Sequence, residues 1–332
     1  MSKKTMGIIL IIILIIIGLA VIRRHRLNKI SSSSISNITS QSTSGANNFG
    51  LKAGDYDYTI KVGNANRRYL LHVPANYDAK KNTPLILAFH GGLGDAQMMA
   101  DDYGLKEKSD KEGFIVAFPN GASRLPSGKL ATWNAGNCCG YAKESQSADT
   151  DFVKATIDDI KSKFNIGKIF ATGMSNGGML SHRLACEMSD TFSAIAAISG
   201  TNNFDGCNPQ KPISILHIHG LQDDHVLFNG GCGPKCIVGS ETQYISVPKT
   251  IADWVQRNKC DATPQRIDLN ANAYCDLYTG CTNNVQVKLC VAKDGGHSWP
   301  GTAKAPNPLE KSIPSQSINA NDEIWNFFKA NL

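Results

Sequence analysis

Short apolar runs alternate along most of this chain with stretches of helical spacing, and that alternation restricts the possible fold more than any other property of the sequence. The runs are Arg68-Tyr69-Leu70-Leu71-His72-Val73-Pro74, Leu85-Ile86-Leu87-Ala88-Phe89-His90, Phe114-Ile115-Val116-Ala117-Phe118, Lys168-Ile169-Phe170-Ala171-Thr172, Ala194-Ile195-Ala196-Ala197-Ile198, Ile213-Ser214-Ile215-Leu216-His217-Ile218 and Val285-Gln286-Val287-Lys288-Leu289. Several are apolar at consecutive positions, as strands covered on both faces must be. Between them, residues 151–164, 178–188 and 247–258 carry apolar side chains at helical spacing. Alternating strands and helices predict an α/β fold with a doubly wound, mostly parallel sheet and helices on both faces. With 332 residues, 42% of them hydrophobic, the chain is long enough for one large core, and no repeat or second domain is evident.

Charge narrows the partners. The formal net charge is +6, but six basic residues and no acid lie in residues 1–30, so the remainder holds 28 of each sign. A neutral body without a basic stripe argues against nucleic acid as a partner. The N-terminus supplies a different signal. Lys3 and Lys4 precede an apolar run that extends from Gly7 to Ile22 and contains Gly18-Leu19-Ala20, with small residues placed as at a signal-peptidase site. Residues 1–22 are expected to be a signal peptide or an N-terminal membrane anchor, the second reading making residues 7–22 a membrane tether. Arg23, Arg24, Arg26 and Lys29 fit neither reading well, because basic residues favour the cytoplasmic side. Residues 23–50 are expected to be a polar, Ser-rich linker too poor in apolar groups to fold, and residues 51–332 the one main domain. All ten cysteines follow the apolar segment, and this even, dense set predicts disulfides and an extracytoplasmic location, secreted or periplasmic. Cys232 and Cys236 lack a second well-spaced pair that would complete a zinc site.

The chemistry gathers around Gly173-Met174-Ser175-Asn176-Gly177. A Gly-x-Ser-x-Gly pattern is weak alone, but this one lies between a predicted strand and a predicted helix, where a strained turn lifts the serine hydroxyl clear of the sheet. A serine needs a base, and the base needs an acid to orient it. His219-Gly220-Leu221-Gln222-Asp223-Asp224-His225 follows a strand and offers Asp223 or Asp224 as the acid. Gly296-His297-Ser298-Trp299-Pro300 follows the last strand and offers His297 as the base. Ser, then Asp, then His is the chain order used when an open sheet gathers its site from several strand ends. His219 and His225 compete weakly as bases. His182, His72 and His217 are expected in packed positions, and Asp276 and Asp294 are remote acids. His90-Gly91-Gly92 lies early in the domain, where the backbone N–H groups of Gly91, Gly92 and Asn176 are candidates for an oxyanion hole.

These motifs, with Trp133, Cys138-Cys139-Gly140, His219-Gly220-x-x-Asp223 and Gly296-His297-Ser298-Trp299-Pro300-Gly301, make residues from about 69 to 300 resemble the secreted polyhydroxybutyrate-depolymerase-like and feruloyl-esterase-like branch of the α/β-hydrolases. The resemblance implies an α/β-hydrolase fold, selects Asp223 over Asp224, and makes Ser175, Asp223 and His297 the catalytic set. It also suggests that Trp133 and Trp299 line the substrate cleft or pack in the core. No appended polymer-binding domain is visible, so a soluble ester is expected rather than insoluble polyester. The cysteines at 232, 236, 275 and 290 exceed the family's pattern. By position, Cys232 is expected to pair with Cys236 and Cys260 with Cys281.

The expected function is hydrolysis of carboxylic esters through an acyl-enzyme, with no cofactor or metal. The substrates would be small or oligomeric, either hydroxyalkanoate oligomers or feruloyl and acetyl esters of polysaccharides. The alternatives are a serine peptidase of the same fold, since the same residues can cleave amides, and a non-catalytic ligand-binding relative.

Overall fold

The computed structural model describes residues 51–236, 243–303, 312 and 314–332. The expected signal peptide or anchor at 1–22, the tether at 7–22 and the whole linker at 23–50 therefore lie outside the described residues. Among the described residues, no helix is long and apolar enough to cross a membrane.

The backbone is organised by a ten-stranded sheet in the order β1-β2-β4-β3-β5-β6-β7-β10-β9-β8. These strands are β1 (Gly54–Val62), β2 (Ala65–Val73), β3 (Thr83–Phe89), β4 (Ile115–Pro119), β5 (Ile166–Met174), β6 (Ala194–Ile198), β7 (Ser214–Gly220), β8 (Gln265–Asn270), β9 (Ala273–Tyr278) and β10 (Val287–Ala292). From β4 through β10 every neighbouring pair is parallel. At both edges the chain turns back on itself as antiparallel hairpins. The expected mostly parallel sheet is thus parallel in its centre and mixed as a whole.

The central strands are mostly apolar because both faces are covered. Leu85, Leu87 and Phe89 of β3 share a core with Phe152 and Ile157 of the helix Asp149–Lys161, Leu180 and Leu184 of the helix Asn176–Glu187, and Trp254 of the helix Val247–Arg257. Ile86 and Ala88 point to the opposite core, which holds Met99 and Phe328 of the helices Ala96–Asp102 and Ala320–Lys329. Period-two alternation therefore feeds two apolar layers rather than one apolar and one wet face. The edge strands read differently for the same reason: β1 alternates half-buried and exposed positions, and β8 is almost wholly exposed.

The cysteines pair as Cys138–Cys139, Cys186–Cys207, Cys232–Cys236, Cys260–Cys281 and Cys275–Cys290. Two of these are the pairs expected from position. Cys275 and Cys290 stand directly opposite each other on β9 and β10, tying the edge hairpin to the central sheet.

A buried ion pair joins the edge of the sheet to the loops above it. Arg67 on β2 donates to Asp149 at 2.7 Å and to the carbonyl of Asn120 at 3.1 Å. Asp149, at the first turn of its helix, also accepts from the backbone N–H of Asn134 at 2.8 Å and from Ser147 at 3.0 Å. The guanidinium lies over the Phe152 ring, 4.2 Å from its centroid. Removing one member leaves the other charge buried and unpaired. Asp149→Ala is expected to cost about 3–5 kcal/mol of unfolding free energy in urea titrations, and the double variant Arg67→Met/Asp149→Leu to recover part of it. A loss below about 1 kcal/mol for the single variant would show that the pair does not hold these segments together.

Candidate active site

β5 ends at Met174 and the next helix begins at Asn176, leaving Ser175 alone at the turn with φ 52° and ψ −117°. This positive φ costs a non-glycine residue on the order of 1–3 kcal/mol and persists only where its surroundings impose it. The surroundings here are backbone. Ser175 N–H donates to the carbonyl of Ile198 at 2.7 Å, and its own carbonyl accepts from Met179 N–H at 2.9 Å. A Cβ on Gly177 would stand 2.2 Å from the carbonyl oxygen of Phe89, and one on Gly200 2.1 Å from the carbonyl oxygen of Ser175. Strand ends and helix start meet too closely for any side chain at these two positions.

Two loops at neighbouring strand ends bring the partners to this serine. The Ser175 hydroxyl lies 2.9 Å from Nε2 of His297, and Nδ1 of His297 lies 2.8 Å from Oδ2 of Asp223. With Nδ1 donating to the carboxylate, Nε2 is left as an acceptor for the serine proton. Oδ1 of Asp223 accepts from the backbone N–H groups of His225 at 2.9 Å and Val226 at 2.8 Å. Burial pushes the Asp223 carboxyl up, but the facing His297 and hydrogen bonds from His219 and His297 outweigh this and hold it well below the usual carboxylate range. Asp224 takes no part in this line. It accepts from Nδ1 of His225 at 2.8 Å and pairs with Lys235 at 2.6 Å. Asp276 pairs with Arg266, and Asp294 accepts from Ser315 and Ser317.

The His90-Gly91-Gly92 loop stands beside the serine turn. A Cβ on Gly91 would lie 3.6 Å from the Ser175 Cβ, and one on Gly92 3.8 Å from that of Asn176. His90 is an internal brace. Its Nε2 accepts from Gly121 N–H at 3.0 Å, so its Nδ1–H donates to the Gly91 carbonyl at 2.7 Å. Asn176 is equally committed, accepting from Trp133 N–H at 2.7 Å and donating to the Trp133 carbonyl at 3.0 Å. The Trp133 indole donates to the His90 carbonyl at 3.0 Å. Trp133 and Trp299 are both fully buried, and neither lines the cavity over Ser175. Of their two readings, packing in the core is the one the structure takes: Trp299 packs edge-on against Tyr103 and donates to Asn321.

A cavity of about 380 Å³ opens over Ser175 and His297. Gly92 and Asn176 form its floor, while Leu93, Leu125, Leu130, Tyr141, Val226 and Tyr244 supply apolar walls. Gly91 does not reach the cavity surface. His225 also faces it, stacked on His297 with ring centroids 4.5 Å apart. The sequence marked His225 only as a weak rival base, and no motif distinguishes the wall residues, which gather from loops far apart in the chain. Among the described residues, ligand atoms of Asp223, His225 and His297 lie within 4.8 Å of one another, but Asp223 and His297 bond to each other and His225 to Asp224. Cys275, Cys290 and Glu323 also cluster, with both thiols tied up in a disulfide.

No protein-family model matches the chain. It is 29% identical over 239 residues to feruloyl esterase B of Piromyces equi, covering 70% of this chain and 42% of that protein, so it spans less than half of that relative's length. It is 28% identical over 277 residues to probable feruloyl esterase C of Aspergillus niger, covering 80% and 84%. Among solved structures, an acetyl xylan esterase from Aspergillus awamori superposes with a TM-score of 0.54 at 18% identity, over 83% of this chain and 99% of the other. The fold is that of the α/β-hydrolases, and the sequence is feruloyl esterase-like.

Buried imidazoles give the domain a defined response to acid. Burial lowers His90 from 6.5 to about 4 and His182 from 6.5 to about 3, and it takes His217 well below 6.5. Below pH 6.5 the unfolded chain therefore takes up protons that the folded chain refuses. The stability these groups permit is fully present above 6.5 and is lost as the pH falls toward 4, by about 1.4 kcal/mol per pH unit for each. Urea unfolding at pH 7, 5.5 and 4.5 should show midpoints that fall steadily. A flat profile between 7 and 5 would contradict the buried, neutral state of these rings.

Proposed function

We propose that the protein is a serine esterase that cleaves carboxylic esters through an acyl-enzyme, with Ser175 as nucleophile, His297 as base and Asp223 as the acid that orients it. The observation that carries this reading is the continuous hydrogen-bonded line from Ser175 through His297 to Asp223, opening on an apolar cavity. Ser175 attacks the ester carbonyl while Nε2 of His297 takes the hydroxyl proton. The imidazolium that forms is stabilised by the Asp223 carboxylate and returns the proton to the departing alcohol. Backbone N–H groups of Asn176 and Gly92, the two of the three candidates that line the cavity, are assigned to the developing oxyanion. Water enters from the same face and releases the acid.

The cavity walls favour an acyl group with an aromatic ring. Leu93, Leu125, Leu130 and Val226 offer apolar surface, and Tyr141 and Tyr244 add rings with a polar edge. At about 380 Å³ the cavity is in the size range of sites that enclose a small organic group, and an acetyl group would leave most of it unfilled. The similarity to proteins named feruloyl esterase points the same way, so feruloyl esters are the proposed class. Five disulfides in the described domain support a location outside the cytoplasm, reached by a signal or anchor in residues 1–22.

Burying a ring contributes about 1.5–3 kcal/mol, so methyl ferulate should exceed methyl acetate in kcat/KM by roughly 10- to 100-fold. Ser175→Ala should lower kcat on methyl ferulate by on the order of 10⁴-fold or more while the domain still unfolds at the wild-type urea midpoint. Full activity in that variant would sink the reading.

A further inference from the structure

Behind Asp223, on the side away from Ser175, four rings continue the hydrogen-bonded line into the core. The indole Nε1–H of Trp254 donates to Nδ1 of His182 at 3.1 Å. His182 Nε2 lies 3.3 Å from His217 Nδ1, and His217 Nε2 lies 3.0 Å from His219 Nδ1. His219 Nε2 then lies 2.8 Å from the Val226 carbonyl and 3.3 Å from Oδ2 of Asp223. Trp254, His182, His217 and His219 are all fully buried, and adjacent rings are stacked, within 8° for His217 and His219.

The ends of this array dictate where its protons sit. An indole nitrogen only donates, so His182 Nδ1 must accept and its proton must be on Nε2. That N–H makes His217 Nδ1 an acceptor, and the same step repeats at His219. At the far end a carbonyl and a carboxylate oxygen both demand a donor, which Nε2–H of His219 supplies. Read from either end, all three imidazoles carry the same tautomer. Burial holds His182 and His217 neutral, so neither relieves the constraint by gaining a second proton.

We propose that His219 is a positioning residue for Asp223 and that Trp254, His182 and His217 act through it, by fixing the tautomer that turns an N–H rather than a lone pair toward the carboxylate. This rests on Asp223 being the acid of the proposed set. Oδ1 of Asp223 is held by two backbone N–H groups, and Oδ2 is shared between His297 and His219. With the other tautomer at His219, a nitrogen lone pair would face Oδ2 and drive it off the line to His297. A one-step flip anywhere in the array would leave two N–H groups or two lone pairs face to face, so the donor at Trp254 reinforces the order that Val226 and Asp223 demand at the other end.

The test has two readouts. In the unaltered protein with ¹⁵N-labelled histidine, nitrogen shifts should show His182, His217 and His219 as neutral Nε2–H tautomers at pH 7. An Nδ1–H tautomer or a protonated ring at His219 overturns the proposal whatever the enzyme's activity. On methyl ferulate, His219→Phe should lower kcat by roughly 10- to 100-fold, as expected for a misplaced catalytic group, with KM within about twofold. His219→Gln, whose amide N–H reaches as far as ring Nε2, should restore most of that loss. Trp254→Phe, which removes the donor at one end only, should lower kcat in the same sense but by less than His219→Phe, because Val226 and Asp223 still favour Nε2–H at His219. Wild-type kcat in His219→Phe, or equal losses in His219→Phe and His219→Gln, also overturns it. Failure of the esterase reading is scored separately by Ser175→Ala, and it leaves the tautomer readout untouched.

Discussion

The Asp223 carboxylate is a full negative charge with no exposed side-chain surface, placed in the loop just beyond the end of β7. A buried charge of that kind is tolerated only where donors replace its lost water. Here two backbone N–H groups take one oxygen and two imidazoles share the other. The loop from Asp223 to Val226 must fold tightly to aim its N–H groups inward, which places His225 against His297 and Val226 in the cavity wall. Much of the site's geometry thus follows from solvating one carboxylate without water.

The serine side obeys a different constraint, the thickness of backbone. β3, β5 and β6 converge where Phe89, Ser175 and Gly200 nearly touch, and the glycines at 177 and 200 exist because there is no volume for a Cβ. The strained φ of Ser175 is held by Ile198 and Met179, which belong to the sheet and the helix rather than to the site. His90, Asn176 and Trp133 close the remaining gap by bonding one another's backbone, making the Ser175 turn and the proposed oxyanion loop one rigid unit. In the proposed mechanism such rigidity would position donors before substrate arrives, which is the form of stabilisation that costs least during reaction.

Much of this was legible in the residues. The central strands declared themselves because burial on both faces demands runs such as Ile86-Leu87-Ala88-Phe89, which few other environments permit. The edges did not. β8 is Gln-Arg-Ile-Asp-Leu-Asn, almost fully exposed, and a strand with no core to face leaves little apolar trace. β1 does alternate, as Tyr56, Tyr58, Ile60 and Val62 show, but its pairing with β2 is a property of the hairpin and not of either strand.

By itself the sequence determined the α/β alternation, the glycine-flanked serine and the chain order of the proposed acid and base, because each is written in local spacing and in residue types that few other structures require. The resemblance had already selected Asp223 over Asp224, and the structure turns Asp223 toward His297; only the tertiary structure decided that Trp133 and Trp299 are packing groups and that His182, His217 and His219 form one file ending on Asp223. The reason is distance. Residue types alone do not separate the adjacent aspartates, which the loop turns toward different partners, Asp223 to His297 and Asp224 to His225. The three histidines come from one helix and one strand, and they become a single hydrogen-bonded unit only when that helix, lying on β5 and β6, brings His182 to His217 of β7.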